Sequence, residues 1–212
     1  MNRNAEAVGR TGSGPNQAVR KLVLAASVAF AVIFLIVAAS KWEDGSTIHE
    51  SIEWAGIALI VICILGRTWS TLFIGGRKNS TLTTDGPYSV SRNPLYLFSI
   101  IGAAGVGAQF GSFTVAVVCG FFAWAVFLWT VWREEASLLA VFGDNYRQYM
   151  ARVPRFLPKP GLWHSPPTLT VNPRLIATTF FDAAIFLVAI PIAELFEWLH
   201  EIGALPTLLA VP

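Results

Sequence analysis

Residues 94–132, PLYLFSIIGAAGVGAQFGSFTVAVVCGFFAWAVFLWTVW, run for 39 positions without one charged side chain. One crossing of a bilayer takes about 20 residues at about 1.5 Å each, so this stretch reads as two membrane helices back to back. Gly107, Gln109, Gly111 and Ser112 supply the turn between them. The first helix of the hairpin carries Gly102, Ala103, Ala104, Gly105, Gly107 and Ala108. Small residues let helix backbones approach closely in lipid. A phosphate-binding glycine loop would need a preceding strand, and these glycines lie inside an apolar span instead.

Outward from the hairpin the chain keeps the same character. Of its 212 residues 54% are hydrophobic and 13% charged, against about 25% charged in soluble domains. The mean hydropathy of +0.57 agrees. This excludes a disordered chain, a collagen and a coiled coil, and it argues against a soluble enzyme. Residues 1–20 are polar and read as a flexible tail. Leu22–Ala39 has no charge and is long enough for a retained span, longer than the apolar core of a cleaved signal. A second span is expected at 52–70, with Arg67 reaching from its end towards the headgroups. A fifth runs from Leu175 to Leu195. Within that span Asp182 is charged, and Thr178 or Thr179 are its expected partners.

The charges orient these five spans. Arg3, Arg10, Arg20 and Lys21, then Arg67, Arg77, Lys78 and Arg92, then Arg133, Arg147, Arg152, Arg155, Lys159 and Arg174 fall on one side, 14 of the 15 basic residues. Lys41 stands on the other, with Glu43, Asp44, Glu50, Glu53, Glu194, Glu197 and Glu201. The positive-inside rule puts the N-terminus in the cytoplasm and the C-terminus outside. Trp42, Trp54, Trp69, Trp132 and Trp198 fall near span ends, as interfacial aromatics do. Cys63 and Cys119 lie in apolar runs and suggest no disulfide framework. His49, His164 and His200 have no metal-ligand spacing, so no metal site is expected. A net charge of +2 with no basic aromatic face excludes a nucleic-acid partner.

Two cytoplasmic segments hold the unusual sequence. The first ends Thr84-Asp85-Gly86-Pro87-Tyr88-Ser89-Val90-Ser91-Arg92-Asn93-Pro94-Leu95-Tyr96. Asp85-Gly86-Pro87 is a turn, and Asn93-Pro94 reads as an N-cap with proline at the first helical position. The helix that follows presents free amides able to bind a carboxylate. The plainer alternative is that Asn93 only caps and Tyr96 only anchors at the interface. The second segment, 133–158, places Glu135, Leu138, Leu139, Phe142, Tyr146 and Tyr149 on one helical face and ends at Pro154 and Pro158. Glu134 and Glu135 stand where the fourth span leaves the membrane. Two carboxylates there are either solvated beside Arg133 or set to grip the hydroxyl or amine groups of a ligand.

Together the segments resemble the isoprenylcysteine carboxyl methyltransferase family, which is related to the phospholipid N-methyltransferases. The family pattern G-x-Y-x-x-x-R-H-P-x-Y stands here as Gly86 to Tyr96, with Asn93 at the histidine position. The pattern E-E-x-x-L-x-x-x-F-G-x-x-Y-x-x-Y-x-x-x-V-P is matched from Glu134 to Pro154 at every fixed position. The resemblance covers about residues 50–160. It implies an all-α integral membrane enzyme that uses S-adenosylmethionine in a cytoplasmic pocket formed by the two segments. Cofactor contacts carried over by position are Ser80, Thr81, Leu82, Thr83, Tyr88, Asn93, Pro94, Leu95, Tyr96, Glu134 and Glu135. Asn93 can donate and accept hydrogen bonds but cannot carry a proton.

The expected organisation is a tail at 1–20 and two membrane helices within 21–70. A catalytic core follows at 71–160, with the hairpin 94–132 and a cytoplasmic helix 133–150, and then an extension at 161–212 with the fifth helix. Methyl transfer is an in-line displacement governed by positioning. A carboxylate acceptor is ionised at pH 7 and needs no base; Arg92 and Arg133 are the candidates to orient it. An amine would need a proton acceptor such as Glu134 or Glu135, and a thiol would need help to ionise. Isoprenylcysteine carboxyl methylation is the favoured reaction, with a lipid, a prenylated protein or another lipophilic small molecule as partner. A phospholipid or small-thiol methyltransferase is the alternative within the class. An NADPH-dependent enzyme resembling sterol reductases, or a non-catalytic membrane protein, are the alternatives outside it.

Overall fold

The computed structural model describes residues 38–42, 44–74, 81–206 and 209–212. The tail, most of the expected first span and Ser80 lie outside the described residues. The rest is an α-helical membrane protein. Its helices are α1 (Thr47–Ile74), the single turn α2 (Pro87–Val90), α3 (Pro94–Ala108), α4 (Phe113–Arg152), α5 (Pro173–Ala184) and α6 (Ala189–Glu201). A 3-10 turn, Ile185–Val188, joins α5 to α6, so that 173–201 forms one helical stretch of 29 residues. Two strands of three residues, β1 (Ala38–Ser40) and β2 (Leu209–Val211), pair in parallel with Ala38 opposite Leu209.

Three of these stretches, 47–74, 113–152 and 173–201, are long and apolar enough to cross a membrane. The last is mostly exposed on the protein, with Ala183 and Ala193 buried against the rest of it. α3 differs from the expected crossing. It has 15 residues, about 22 Å, and it packs on α1 along one side and on α4 along the other. The small residues make this possible. A Cβ on Gly56 of α1 would stand 2.8 Å from the carbonyl oxygen of Gly105, and one on Gly105 the same distance from that of Gly56. The two backbones therefore meet directly, and alanine at either position would drive them apart.

α4 differs in the other direction. The hairpin helix does not stop at Trp132, because helical geometry continues through Phe142. Thirty residues span about 45 Å, more than the roughly 30 Å of hydrocarbon, so the charged turns from Arg133 onward project past the bilayer. The break falls at Gly143, with φ 54° and ψ −127°, a conformation reserved for glycine. The chain bends there, and the last turn carries Tyr146, Tyr149 and Val153 back against Leu82, Leu138, Leu139 and Phe142. Asp182 is exposed on α5, where Thr178 donates to the Arg174 carbonyl and Thr179 receives the Thr71 hydroxyl.

Candidate active site

The bend at Gly143 folds the end of α4 over the loop that precedes α3, and Glu135 holds the two together. Its Oε1 accepts from Arg92 Nε at 2.9 Å, and its Oε2 from Arg155 Nη2 at 2.7 Å and Nε at 3.1 Å. Arg92 also donates through Nη1 to the carbonyls of Met150 (2.8 Å) and Val153 (2.9 Å). Both side chains are nearly enclosed, at 9% and 6% exposure, where charge-assisted bonds are strong and an unpaired charge is costly. Asn93 caps α3 by position, but its side chain does not bond the helix amides. Its Nδ2 donates instead to the Arg155 carbonyl at 3.2 Å and, at 3.5 Å, to Glu135. Tyr149 donates to the Tyr88 carbonyl at 2.6 Å, and Ser91 to that of Phe156 at 3.0 Å.

Glu134 faces elsewhere. Consecutive helical residues are rotated by about 100°, so when Glu135 points into the clamp its neighbour turns to the adjoining face. There Glu134 Oε2 accepts the Tyr96 hydroxyl at 2.8 Å, and the Tyr96 ring packs on Phe127 with centroids 5.0 Å apart. This face is the wall of a cavity of about 220 Å³. Thr81, Thr83, Tyr88, Arg92, Asn93, Leu95, Tyr96 and Glu134 line it, eight of the residues singled out from the sequence. Four others sit outside it, Glu135 among them, because Arg92 and Arg155 engage both of its oxygens. Leu82 packs among the tyrosines, Pro94 lines a neighbouring apolar groove, and the exposed Arg133 stands 4.9 Å over the Trp129 ring.

The sequence reading missed other parts of the cavity. Arg67 enters it from α1 and donates through Nη1 to Ser99. Its Nε is buried without a hydrogen-bond partner among the described residues, and so is the Tyr88 hydroxyl. Burial pushes the Tyr88 phenol far above its ordinary range, and neighbouring Tyr149, Glu134 and Tyr96 add to the effect. It stays protonated, a donor with no acceptor among the described residues. Buried polar groups left this way are costly, and two on one cavity mark a place for a polar ligand. Arg155 was missed too; only the fold brings it to Glu135.

The sequence model of the phospholipid methyltransferase family matches residues 52–145. The protein-S-isoprenylcysteine O-methyltransferase of Schizosaccharomyces pombe is 34% identical over 94 residues, 44% of this chain and 40% of that enzyme. The stretch 52–145 is similar in sequence to this family of methyltransferases. Two further relatives are similar over more of the chain. The cobalt-zinc-cadmium resistance protein CzcN of Cupriavidus metallidurans is 33% identical over 178 residues, 84% of this chain and 82% of that protein. The nickel-cobalt-cadmium resistance protein NccN of Alcaligenes xylosoxydans xylosoxydans is 31% identical over 185 residues, 87% and 86% of the two chains. No solved structure matches. The methyltransferase match takes in Arg67, Tyr88, Tyr96 and both glutamates, and it ends just past the Gly143 bend.

Proposed function

We propose that this methyltransferase uses S-adenosylmethionine, held in the cavity between α1, the start of α3 and α4, and that it methylates a lipophilic acceptor, with a carboxylate favoured. The observation that carries this reading is the pairing, on one cavity, of two buried unpartnered donors with a carboxylate. Arg67 Nε and the Tyr88 hydroxyl, without hydrogen-bond partners among the described residues, call for an acceptor, and the Glu134 carboxylate, which accepts from Tyr96, stands on the same wall as a further acceptor. S-adenosylmethionine offers both, a carboxylate on its amino-acid end and hydroxyls on its ribose, and when bound it supplies a methyl group on an electrophilic sulfonium. Arg67 and the α3 amides at Leu95 and Tyr96 would receive the carboxylate. Glu134, fixed by Tyr96, would accept from the hydroxyls, and Thr81 and Thr83 would stand at the same wall. The rings of Tyr88 and Tyr96 favour a cation near their faces. Leu138 and Phe142 give the cavity its apolar wall.

Arg92 is spoken for by Glu135 and two carbonyls, so we give it a positioning role: it fixes the wall on which Asn93 and Tyr96 stand. Arg133 is left to orient the acceptor's carboxylate. It lies one residue from Glu134 and is exposed at the level where α4 leaves the bilayer. A carboxylate is the favoured acceptor because it attacks as the anion it already is at pH 7, with no base required. Asn93, unable to carry a proton, suits a reaction without one. The basic residues beside this cavity support a cytoplasmic position for it.

The test is methyl transfer from tritiated S-adenosylmethionine in proteoliposomes, using a farnesylated cysteine with a free carboxylate. Product label that mild alkali releases as volatile methanol supports a carboxyl methyl ester. Label that resists alkali would assign an N- or S-methyl acceptor instead.

A further inference from the structure

At the opposite end of α1 a second polar cluster has no part in methyl transfer. His49 follows Thr47, the first residue of the helix, by two positions, and Arg67 lies 18 residues further on, so about 27 Å of helix separates the two sites. The His49 ring is 2% exposed and is surrounded by carboxylates. Its Nε2 lies 3.3 Å from Glu197 Oε1, and its Nδ1 3.8 Å from Asp44 Oδ1 and 3.9 Å from Glu53 Oε2. Neither His49 Nδ1 nor Glu197 Oε1 has a hydrogen-bond partner among the described residues, although both are buried. A cavity of about 160 Å³ opens on His49, Asp44 and Glu197.

The fold around the ring is specific. Gly111, in the turn between α3 and α4, has φ +57°, and a Cβ there would come within 1.8 Å of His49 Cδ2 and Nε2. Ser40 Oγ ties the Gly111 carbonyl to β1 at 2.9 Å. Three carboxylates surround the one imidazole. Lys41, the basic residue of this end, has its ammonium 4.7 Å over the Trp42 ring. One ligand atom from each of Asp44, His49 and Glu197 lies within 4.8 Å of the others. Donors bonded at about 2.0–2.1 Å to a tetrahedral ion stand about 3.3 Å apart, the observed Nε2–Oε1 separation.

We propose that Asp44, His49 and Glu197 form a binding site for one divalent transition-metal ion of the zinc and cobalt class. One imidazole nitrogen and two carboxylate oxygens are a donor set suited to such ions. The ion binds His49 Nε2 and Glu197, and the exposed Asp44, whose Oδ1 stands 3.8 Å from Nδ1, turns to complete the set. Glu53, 3.9 Å from Nδ1, is placed to accept from the remaining ring N–H and so fix the tautomer. The site joins the segment after β1, the first turn of α1 and the last helix, so the ion staples the C-terminal extension to the methyltransferase core. Asp44 and His49 are five residues apart, and Glu197 reaches them only through the fold, which is why the spacing of histidines gave no sign of it.

The test uses the full chain, purified in detergent, stripped with EDTA and desalted. Zinc alone is titrated against a chromophoric chelator, cobalt alone is followed by its visible ligand-field bands, and melting is recorded with and without zinc. The expected result is one tight zinc equivalent per chain, cobalt bands of low coordination number and a raised melting temperature. His49→Gln, Glu197→Gln and Asp44→Asn should each weaken zinc by about tenfold or more. Asp44 is 62% exposed, so Asp44→Asn decides the matter if a His49 variant does not fold. Failure of the wild-type chain to bind zinc overturns the proposal. So does binding that all three substitutions leave unchanged, or melting indifferent to zinc, as expected of a protonated His49 that merely pairs with its neighbours. None of these outcomes touches the methyltransferase reading.

Discussion

Glu134 and Glu135 are identical in kind and adjacent in the chain, yet one turn of backbone gives them separate work. Glu135 is buried between Arg92 and Arg155, while Glu134 faces the cavity with Tyr96. Their substitutions should separate accordingly. Glu135→Gln leaves two guanidiniums short of their counter-charge, and breaking a buried pair costs about 3–5 kcal/mol, so a fall in thermal stability of that order is expected in a melting experiment. Glu134→Gln should leave melting nearly unchanged. It removes a charged hydrogen-bond acceptor worth about 1.5–3 kcal/mol, so affinity for S-adenosylhomocysteine should fall by about 10–100-fold in a titration. The glutamate pair was legible as a motif, but the division of labour was not, because it depends on which face of α4 the Gly143 bend covers. Asn93 is a similar case. Its cap position was readable, but its side chain prefers the Arg155 carbonyl, which no local pattern announces.

Among the elements, α4 shows where sequence periodicity stops informing. The apolar run 94–132 gave the hairpin and its turn, and both stand in the structure. The run ends in composition at Arg133, whereas the helix ends in geometry at Gly143, since charge does not break a helix that has left the bilayer. Gly143 has open space where a Cβ would stand, so Gly143→Ala meets no clash. Its cost is conformational, about 1–3 kcal/mol for a non-glycine residue at these dihedrals. We expect Gly143→Ala to lower the melting temperature and to weaken S-adenosylhomocysteine, because straightening α4 lifts Tyr146 and Tyr149 from the cavity wall. Unchanged affinity and stability would mean that the bend is not what shapes the site. The shortness of α3 was hidden for a related reason: its apolar residues face protein as much as lipid, and composition does not separate the two.

For the whole molecule, the separation of charge is the organising fact. Basic residues gather with the methyltransferase cavity at one end, and Asp44, Glu53, Glu194, Glu197 and Glu201 gather at the other. That asymmetry was legible without any structure, because it needs only the order of spans. It predicts that a phosphatase fused to the C-terminus is active outside the cytoplasmic membrane and that a fluorescent protein fused there is dark. The reverse would invert the topology and with it the cytoplasmic placement of the site. What the order of spans could not give was Arg67, a residue of the second expected span that belongs to the cavity rather than to the headgroups. Only the packing of α1 on α3 brings it there.

The most direct measurement is calorimetric titration of the detergent-purified chain with S-adenosylhomocysteine, alongside Tyr96→Ala, Glu134→Ala and the exposed control Asp182→Asn. The account predicts one site per chain, retained by the control and lost or severely weakened in the two cavity variants. A folded wild-type protein that binds no S-adenosylhomocysteine, or cavity variants that bind it as well as the wild type, would contradict it.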